Sequence, residues 1–195
     1  MAGVAGVEPT SAVLETVILP LNYTPMSNWL YHINMNNKTI FWKITYIFIG
    51  DVFLSIIKYS TKEKNLLARL MRAEALGEGD LGMLMVGNVI VNRALADCLT
   101  FKNIRTITDV VYQSPGGFVG VNSSLFVGNP TAKEISLANR ILRGEYYHPA
   151  TNALWFYSPK KDEDCLALWY EQRNSGRYKN HCFYIPQSGV CRQIH

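Results

Sequence analysis

Glu74 and Glu78 are the two residues of this chain whose type and spacing point most directly to chemistry. Both lie in the stretch LLARLMRAEALGEGD, residues 66–80. As a helix, this stretch places Glu74 on the same face as four apolar residues at the spacing of a buried stripe: Leu66, Leu67, Leu70 and Met71. A carboxyl group that faces apolar neighbours loses hydration, which raises its pKa toward the range of a general acid at neutral pH. The pattern therefore predicts that Glu74 donates a proton in a reaction.

Glu78 follows Glu74 at i+4. In a continuous helix its negative charge would raise the pKa of Glu74 further. Gly77 and Gly79 argue against a continuous helix, because glycine weakens helix interiors. A second interpretation is therefore a helix end with two solvated acids. Arg72 falls on another face, where we expect it to be solvated.

The elements that must position these acids are helices. Thr61 can cap the first helix, and the apolar periodicity predicts a second over residues 81–96. Gly87 would allow a neighbouring element to approach this second helix closely. Asn92 and Arg93 fall near its apolar stripe, where either can orient Glu74 or a substrate, or can cap a neighbouring element.

Two further helices and a β region are expected after the second helix. A short helix is predicted over residues 108–113, and Asn129 and Pro130 are expected to open another that Gly144 stops. Three short aromatic segments bounded by proline then predict strands: ALWFYSP, CLALWY and HCFYIP. The pattern predicts an α+β fold with the helices first.

The segment SPGGFVGVNSS, residues 114–124, is too rich in Gly, Pro and Ser to be regular. Its length suits a loop that lines a cleft. Phe118 is the large apolar residue placed to meet a ligand there, or else to anchor the loop.

Composition restricts the class of protein. The 195 residues are 48% hydrophobic and 17% charged, which fits a globular protein with a full core. The net charge of +4 suits an anionic polymer, but no Lys/Arg cluster of the kind that binds nucleic acid is present. The four cysteines form no C-x-x-C pair, so a metal site is not predicted. They permit two disulfides, in three connectivities, or four buried thiols.

Residues 1–57 differ in character from the rest and are interpreted as an N-terminal extension to a domain over residues 58–195. The segment lacks the cationic start of a secretory signal. Lys43, Gly50 and Asp51 interrupt its apolar run, which disfavours a membrane span. The opening AGVEP resembles the opposite strand of a bacterial tRNA gene in translation, so we expect the native start near residues 54–58.

Four segments together resemble the SleB/CwlJ family of spore cortex-lytic enzymes, most closely its CwlJ branch. They are LLARLMRAEALGEGDLGMLMVGNVIVNR, YQSPGGF, ALWFYSP and NHCFY, and the resemblance spans about residues 61–191. The A-E-A-x-G-E core with the downstream N-R carries most of the signal. The resemblance implies a single lysozyme-like or lytic-transglycosylase-like α+β domain that cleaves spore cortex peptidoglycan during germination.

The family's catalytic glutamate maps onto Glu74, and its second acid maps onto Glu78. The resemblance implies peptidoglycan glycan strands as the substrate, with no cofactor or metal in the site. It also implies a small spore coat protein as a partner and calcium dipicolinate as an activator. The expected location is the boundary of spore coat and cortex, after synthesis in the mother cell without a signal peptide.

Six further residues are candidates to bind the glycan. Three aromatic rings can stack on sugar faces, two residues can line the opposite wall, and one histidine can hydrogen-bond substrate or be structural. In that order they are Trp155, Tyr157 and Trp169, Phe118 and Asn122, and His181.

The mechanism and the class of protein each leave an alternative. A glycoside hydrolase normally needs a second carboxylate about 5–9 Å from the first. A lytic transglycosylase uses one glutamate as acid and then as base, so the sequence favours an anhydromuramyl product. The alternatives are a non-catalytic, peptidoglycan-binding coat scaffold and an amidase that uses zinc or a Cys182 nucleophile beside His181.

Overall fold

The structure is a computed structural model that describes residues 34–35, 38–39 and 55–191. The chain divides into two compact units, residues 1–47 and 48–195. In the first unit, strand β1 (Asn34–Met35) pairs antiparallel with β2 (Lys38–Thr39). The predicted extension, its apolar run and the predicted start lie largely outside the described residues and stay predictions.

In the second unit, helix α1 (Thr61–Ala75) begins with a capping box. The Ser60 hydroxyl accepts a hydrogen bond from the Glu63 N–H at 3.2 Å, and the Glu63 carboxylate accepts one from the Ser60 N–H at 2.9 Å. The prediction that Thr61 caps the helix was wrong, because Ser60 supplies the hydroxyl. The four apolar residues of the predicted stripe are buried, as expected.

Helix α1 does not continue into α2 (Gly79–Leu95). A 3₁₀ turn, Leu76–Glu78, separates them, and Gly79 has a φ of +77°, which glycine adopts without strain. Helix α2 is buried on every side from residue 82 to 94, so it forms the centre of the helical layer. Even so, within the described part of the chain no helix combines the length and hydropathy needed to cross a membrane.

Helices α3 (Ile107–Val111) and α4 (Ala132–Leu142) each begin at a threonine capping box. The prediction that Asn129 caps α4 was wrong, because the Thr131 hydroxyl accepts the hydrogen bond from the Glu134 N–H at 3.3 Å. Helix α4 packs against both α1 and α2, and Gly144 follows its end with a φ of +89°.

The β region is one antiparallel sheet of four strands in the order β3-β6-β5-β4. Its strands are β3 (Trp155–Tyr157), β4 (Leu168–Trp169), β5 (Gln172–Tyr178) and β6 (His181–Ile185). The three aromatic segments supply β3, β4 and β6, as predicted. Strand β5 was missed, because QRNSGRY contains almost no apolar residue. The α+β fold with helices first is confirmed.

Two disulfides join all four cysteines. Cys98 pairs with Cys191, and Cys165 pairs with Cys182. The first ties the end of the described chain to the segment after α2, and the second ties the segment before β4 to strand β6. The sequence left three connectivities open, and the structure selects this one.

Gly87 lies where α2 approaches α1 and α4, as predicted. A Cβ at this position would lie 2.9 Å from the Ile141 Cγ1 and 3.1 Å from the Met71 Sδ. Gly87→Val is therefore expected to lower the free energy of unfolding by about 1–3 kcal/mol, because a well-packed core resists extra volume. Urea denaturation of both proteins measures the difference.

Gly77→Val is the matched control, since a Cβ at Gly77 would meet no atom within 4 Å. Equal losses in the two variants would show that the valine side chain itself, rather than close packing around Gly87, sets the cost.

Candidate active site

Glu74 lies in the last turn of α1, with its side chain half-buried beside an open cavity of about 320 Å³. The cavity is lined by α1 and by the loop that follows Phe118. The lining residues are Ala73, Glu74, Val119, Gly120, Asn122 and Ser123. Among the described residues that line it, Glu74 is the one ionisable group, so any acid–base chemistry in this cavity falls to its carboxyl.

Burial raises the pKa of Glu74 above its ordinary value. Two contacts act against burial: the Gly120 N–H donates a hydrogen bond to the Glu74 Oε1 at 2.5 Å, and the Arg93 guanidinium supplies a positive charge. The direction agrees with the sequence prediction. Glu78 does not add to this rise in pKa as predicted. Helix α1 ends before Glu78, and the Glu78 carboxylate bonds to Asn180 instead.

Gly120 allows the loop to approach Glu74 this closely. A Cβ at this position would lie 2.6 Å from the Glu74 Oε1 and 3.1 Å from the Ala73 Cβ. A larger residue would therefore push the loop away from the carboxyl group. Sequence reasoning missed Gly120, and its place inside the Gly-rich loop was the one available signal.

Arg93 projects from α2 into the space between the loop and the sheet. Its Nε donates to the Leu154 carbonyl at 2.7 Å, and its Nη1 donates to the Gly116 carbonyl at 3.1 Å. The guanidinium also lies 4.3 Å from the centre of the Phe118 ring. Burial lowers the pKa of Arg93 to about 10, so the group stays charged at neutral pH. Arg93 therefore fixes neighbouring backbone, which is one of the roles left open for it, and its charge favours the ionised form of Glu74.

Arg72 fixes the far end of the same loop. Its Nε donates to the Leu125 carbonyl at 2.6 Å, its Nη2 to the Val127 carbonyl at 2.9 Å and its Nη1 to the Asn129 carbonyl at 3.3 Å. The Nη1 also forms a 3.2 Å ion pair with Glu134. The prediction that Arg72 is solvated was wrong, since its side chain is 12% exposed. The loop gains from these contacts the order that its sequence does not provide.

Glu78 is buried and does not line the cavity. Its Oε1 accepts a hydrogen bond from the Asn180 Nδ2 at 2.9 Å, and its Oε2 accepts one from the Asn180 N–H at 3.3 Å. The Lys179 Nζ donates to the Glu78 carbonyl at 2.6 Å. These contacts fasten the β5–β6 turn to the start of α2, which is a structural use of the carboxylate.

The other predicted glycan-binding residues divide into two groups. Asn122 lines the cavity with Glu74. Phe118 is buried, and its ring centre lies 6.1 Å from that of Phe156, so it anchors the loop. His181 is buried as well, which lowers its pKa, and its Nδ1 has no hydrogen-bond partner in the described structure.

The three aromatic candidates lie apart from Glu74 in the contacts that the structure describes. Tyr157 and Trp169 pack together with ring centres 5.1 Å apart, and both pack on Tyr184. Trp155 packs on the core residue Phe101 at 5.6 Å. Strand alternation points Tyr157 away from the sheet face on which Phe156 meets Phe118. None of the three rings lines the cavity beside Glu74, and their sugar stacking stays a prediction.

The described residues offer no support for the amidase chemistry. Cys182 is held in a disulfide with Cys165, so it has no thiolate to attack a carbonyl. No cluster of three metal-ligating side chains occurs in residues 55–191 or the other described positions.

Glu74→Gln is expected to change how stability depends on pH. The folded-state pKa of Glu74 lies above the unfolded value, so this group contributes stability below the unfolded pKa and loses it as pH rises through the folded pKa. The variant cannot ionise, and its amide oxygen can still accept from Gly120. It should be more stable than the parent protein above the folded pKa, as measured by urea unfolding near about pH 4 and about pH 8.

Glu63→Gln provides a control of opposite sign. Burial raises the pKa of Glu63, but hydrogen bonds from Ser60 and Thr108 outweigh it and lower the pKa overall. This group contributes stability above its unfolded pKa and loses it as pH falls through the folded pKa. Glu63→Gln should therefore be less stable than the parent at neutral pH. The same sign for both variants would contradict the assignment of Glu74.

Comparisons with known proteins identify the family of this chain. The family profile described as Cell Wall Hydrolase matches residues 77–184. Cell wall hydrolase CwlJ of Oceanobacillus iheyensis is 52% identical over 141 residues, which cover 72% of this chain and 99% of that protein. Cell wall hydrolase CwlJ of Bacillus subtilis is 41% identical over 142 residues, which cover 73% and 98%.

One solved structure shares the fold. The catalytic domain of the Bacillus cereus SleB protein superposes with a TM-score of 0.52 at 22% identity, over 65% of this chain and 92% of that one. The match shows the same succession of helices and a small antiparallel sheet. Together with the profile and the CwlJ relatives, it confirms the predicted family: the chain belongs to the cell wall hydrolases of the SleB/CwlJ type.

Proposed function

We propose that this protein cleaves glycosidic bonds in the peptidoglycan of the spore cortex, with Glu74 as the catalytic acid. The observation that carries the proposal is a half-buried carboxyl with a raised pKa at the edge of a cavity. Family membership supports peptidoglycan as the substrate class. Cleavage of a glycosidic bond requires a proton donor for the leaving oxygen, and a carboxyl whose pKa is raised by burial is suited to that task.

In the first step, the protonated Glu74 gives its proton to the glycosidic oxygen while the bond from that oxygen to the anomeric carbon breaks. Positive charge develops on the sugar ring, and Glu74 becomes a carboxylate. The Gly120 N–H and the Arg93 charge both favour that ionised form. These groups are fixed before the reaction, so they stabilise the new charge without reorganisation.

The second step requires a nucleophile. Glu78 already accepts two hydrogen bonds from Asn180, and no second carboxylate lines the cavity among the described residues. We infer that the muramyl 6-hydroxyl attacks the anomeric carbon, and that the Glu74 carboxylate takes the proton this hydroxyl loses. The product is an anhydromuramyl sugar, no water is consumed, and Glu74 regains its proton.

The site of action that we propose is the boundary between spore coat and cortex, during germination. The CwlJ relatives, which are named as cell wall hydrolases, support an action on the cell wall. A small coat protein as partner and activation by calcium dipicolinate stay expectations from the family resemblance.

Glu74→Gln is expected to lower the rate of release of soluble fragments from purified cortex by about a hundredfold or more, because general acid catalysis contributes about 10²–10⁴. Glu78→Gln keeps an acceptor for Asn180 and should retain activity within about tenfold of the parent. Unchanged cortex lysis by Glu74→Gln would favour a non-catalytic scaffold or place the acid elsewhere. Loss of activity in Glu78→Gln alone would assign the acid to Glu78.

The mass of the released muropeptides tests the second step. Attack by the 6-hydroxyl yields fragments lighter by one water than the products of hydrolysis. Mass spectrometry of fragments from the parent protein should find the anhydro form at the new chain ends. Fragments that carry a reducing end throughout would show that water is the nucleophile.

Arg72→Lys tests whether the loop positions the acid. Lysine keeps the charge but cannot donate to three carbonyls at once, so the wall beside Glu74 should loosen. Burial is the largest influence on the pKa of Glu74, so added hydration should lower that pKa and move the alkaline limb of the pH–rate profile to lower pH. We expect the rate at the optimum to fall about tenfold or more.

Arg140→Lys is the matched control for this experiment. Arg140 lies on α4, where its half-exposed side chain pairs with Glu145 at 2.8 Å. Its substitution should leave the pH–rate profile in place. If the alkaline limb of the pH–rate profile did not move in Arg72→Lys, Arg72 would contribute to stability and would not position Glu74.

A further inference from the structure

A second open cavity, of about 490 Å³, lies outside the Glu74 site. It is formed by residues 100–104, helix α3 and the segment that follows this helix up to Pro115. The volume falls in the range of about 300–1,000 Å³ that is typical of ligand pockets. The reaction proposed for Glu74 uses none of its residues.

The lining combines an apolar floor with uncommitted polar groups. Ile104 is buried at the floor, whereas Thr100, Asn103 and Ser114 are exposed around it. In the described part of the chain, no intramolecular hydrogen bond engages these three polar side chains. The Gln113 Oε1 also has no partner there, so turning that amide toward a ligand forfeits no hydrogen bond at this atom. The cavity therefore offers free amide and hydroxyl groups to a ligand.

Tyr112 supplies an aromatic face at the rim, since 59% of the residue is exposed. A pyranose sugar has apolar C–H faces and a polar edge, which match a ring combined with amides and hydroxyls. The charge of the lining argues against an anion. No Lys or Arg is among the lining residues, and hydrogen bonds from Thr106 and the backbone lower the pKa of Asp109 and keep it ionised. A neutral sugar is the class of ligand that fits this lining, and its N-acetyl groups follow from the proposed function.

One loop connects the two cavities. Pro115 lines this cavity and Val119 lines the Glu74 cavity, four residues further along the chain. Four residues span at most about 14 Å between Cα atoms. The Arg93 contact to the Gly116 carbonyl fixes the loop between them. The two cavities are therefore within the reach of one glycan strand.

We propose that the cavity at Tyr112 is an accessory saccharide subsite, which binds an N-acetylated sugar of the glycan strand away from the bond that is cut. The identity of the polymer rests on the proposed function, but the binding itself does not require catalysis. The subsite would hold long strands while Glu74 acts on one linkage.

The test uses the full chain with Glu74→Gln, titrated with N-acetylglucosamine hexasaccharide by calorimetry. Adding Tyr112→Ala should raise the Kd about threefold to tenfold, whereas Tyr112→Phe keeps the ring and should bind as tightly as the background protein. Tyr170→Ala is the matched control, because Tyr170 is 82% exposed and lines neither cavity. In the active protein, Tyr112→Ala should raise the KM for long cortex strands by a similar factor and leave kcat unchanged.

Equal affinity in Tyr112→Ala, Tyr112→Phe and Tyr170→Ala would overturn the subsite. The subsite would also be overturned if the protein bound a soluble stem tetrapeptide, lost that binding in Tyr112→Ala and did not bind the hexasaccharide. The cavity would then be a peptide-binding site. Full activity of Glu74→Gln would overturn the proposed function alone, because the titration still reports whether sugar binds at Tyr112.

Discussion

The contact between the Glu74 carboxyl and the Gly120 N–H is the constraint on which the rest of the site depends. Burial against the loop favours the protonated acid. The hydrogen bond from the Gly120 N–H and the positive charge of Arg93 both favour the carboxylate. Burial is the larger influence, so the pKa is raised. The two opposing contacts support the ionised form once the proton has left. A fully solvated carboxyl would lack the raised pKa, and a carboxyl in a purely apolar pocket would lack the support for its ionised form.

The loop that makes this contact contains two short 3₁₀ turns, Val119–Asn122 and Ser124–Phe126, in place of the irregular backbone that its sequence predicted. Other elements hold these turns in place. Arg93 donates a hydrogen bond to the Gly116 carbonyl at the start of the loop, and Arg72 donates to three carbonyls at its end. Both arginines come from the buried helix pair, α1 and α2. Glu78 fastens the sheet to the junction of the same two helices. The helical layer therefore serves as the rigid base, and the loop and the sheet are attached to it by side chains that bind backbone groups or one another.

The sequence predicted the parts of this arrangement that depend on local pattern. Periodicity placed Glu74 on a buried face, and aromatic segments identified three of the four strands. Caps were misassigned where two polar residues compete, as at Ser60 and Thr61. The contacts of Arg72 and Arg93 join residues that are distant in sequence, so they could not be predicted from the spacing of residues along the chain. The cysteine pairing escaped prediction for the same reason, because three connectivities fit one spacing.

Direct titration of the Glu74 side chain is the most decisive test of its role as the catalytic acid. Carbon-13 labelling of glutamate in the full chain, with the Glu74 resonance identified by its loss in Glu74→Gln, gives the pKa by NMR. We predict a midpoint clearly above the ordinary value of about 4.3 for glutamate. A midpoint at or below that value would mean that burial does not outweigh the Gly120 and Arg93 contacts, and Glu74 could not then serve as an acid held ready at neutral pH.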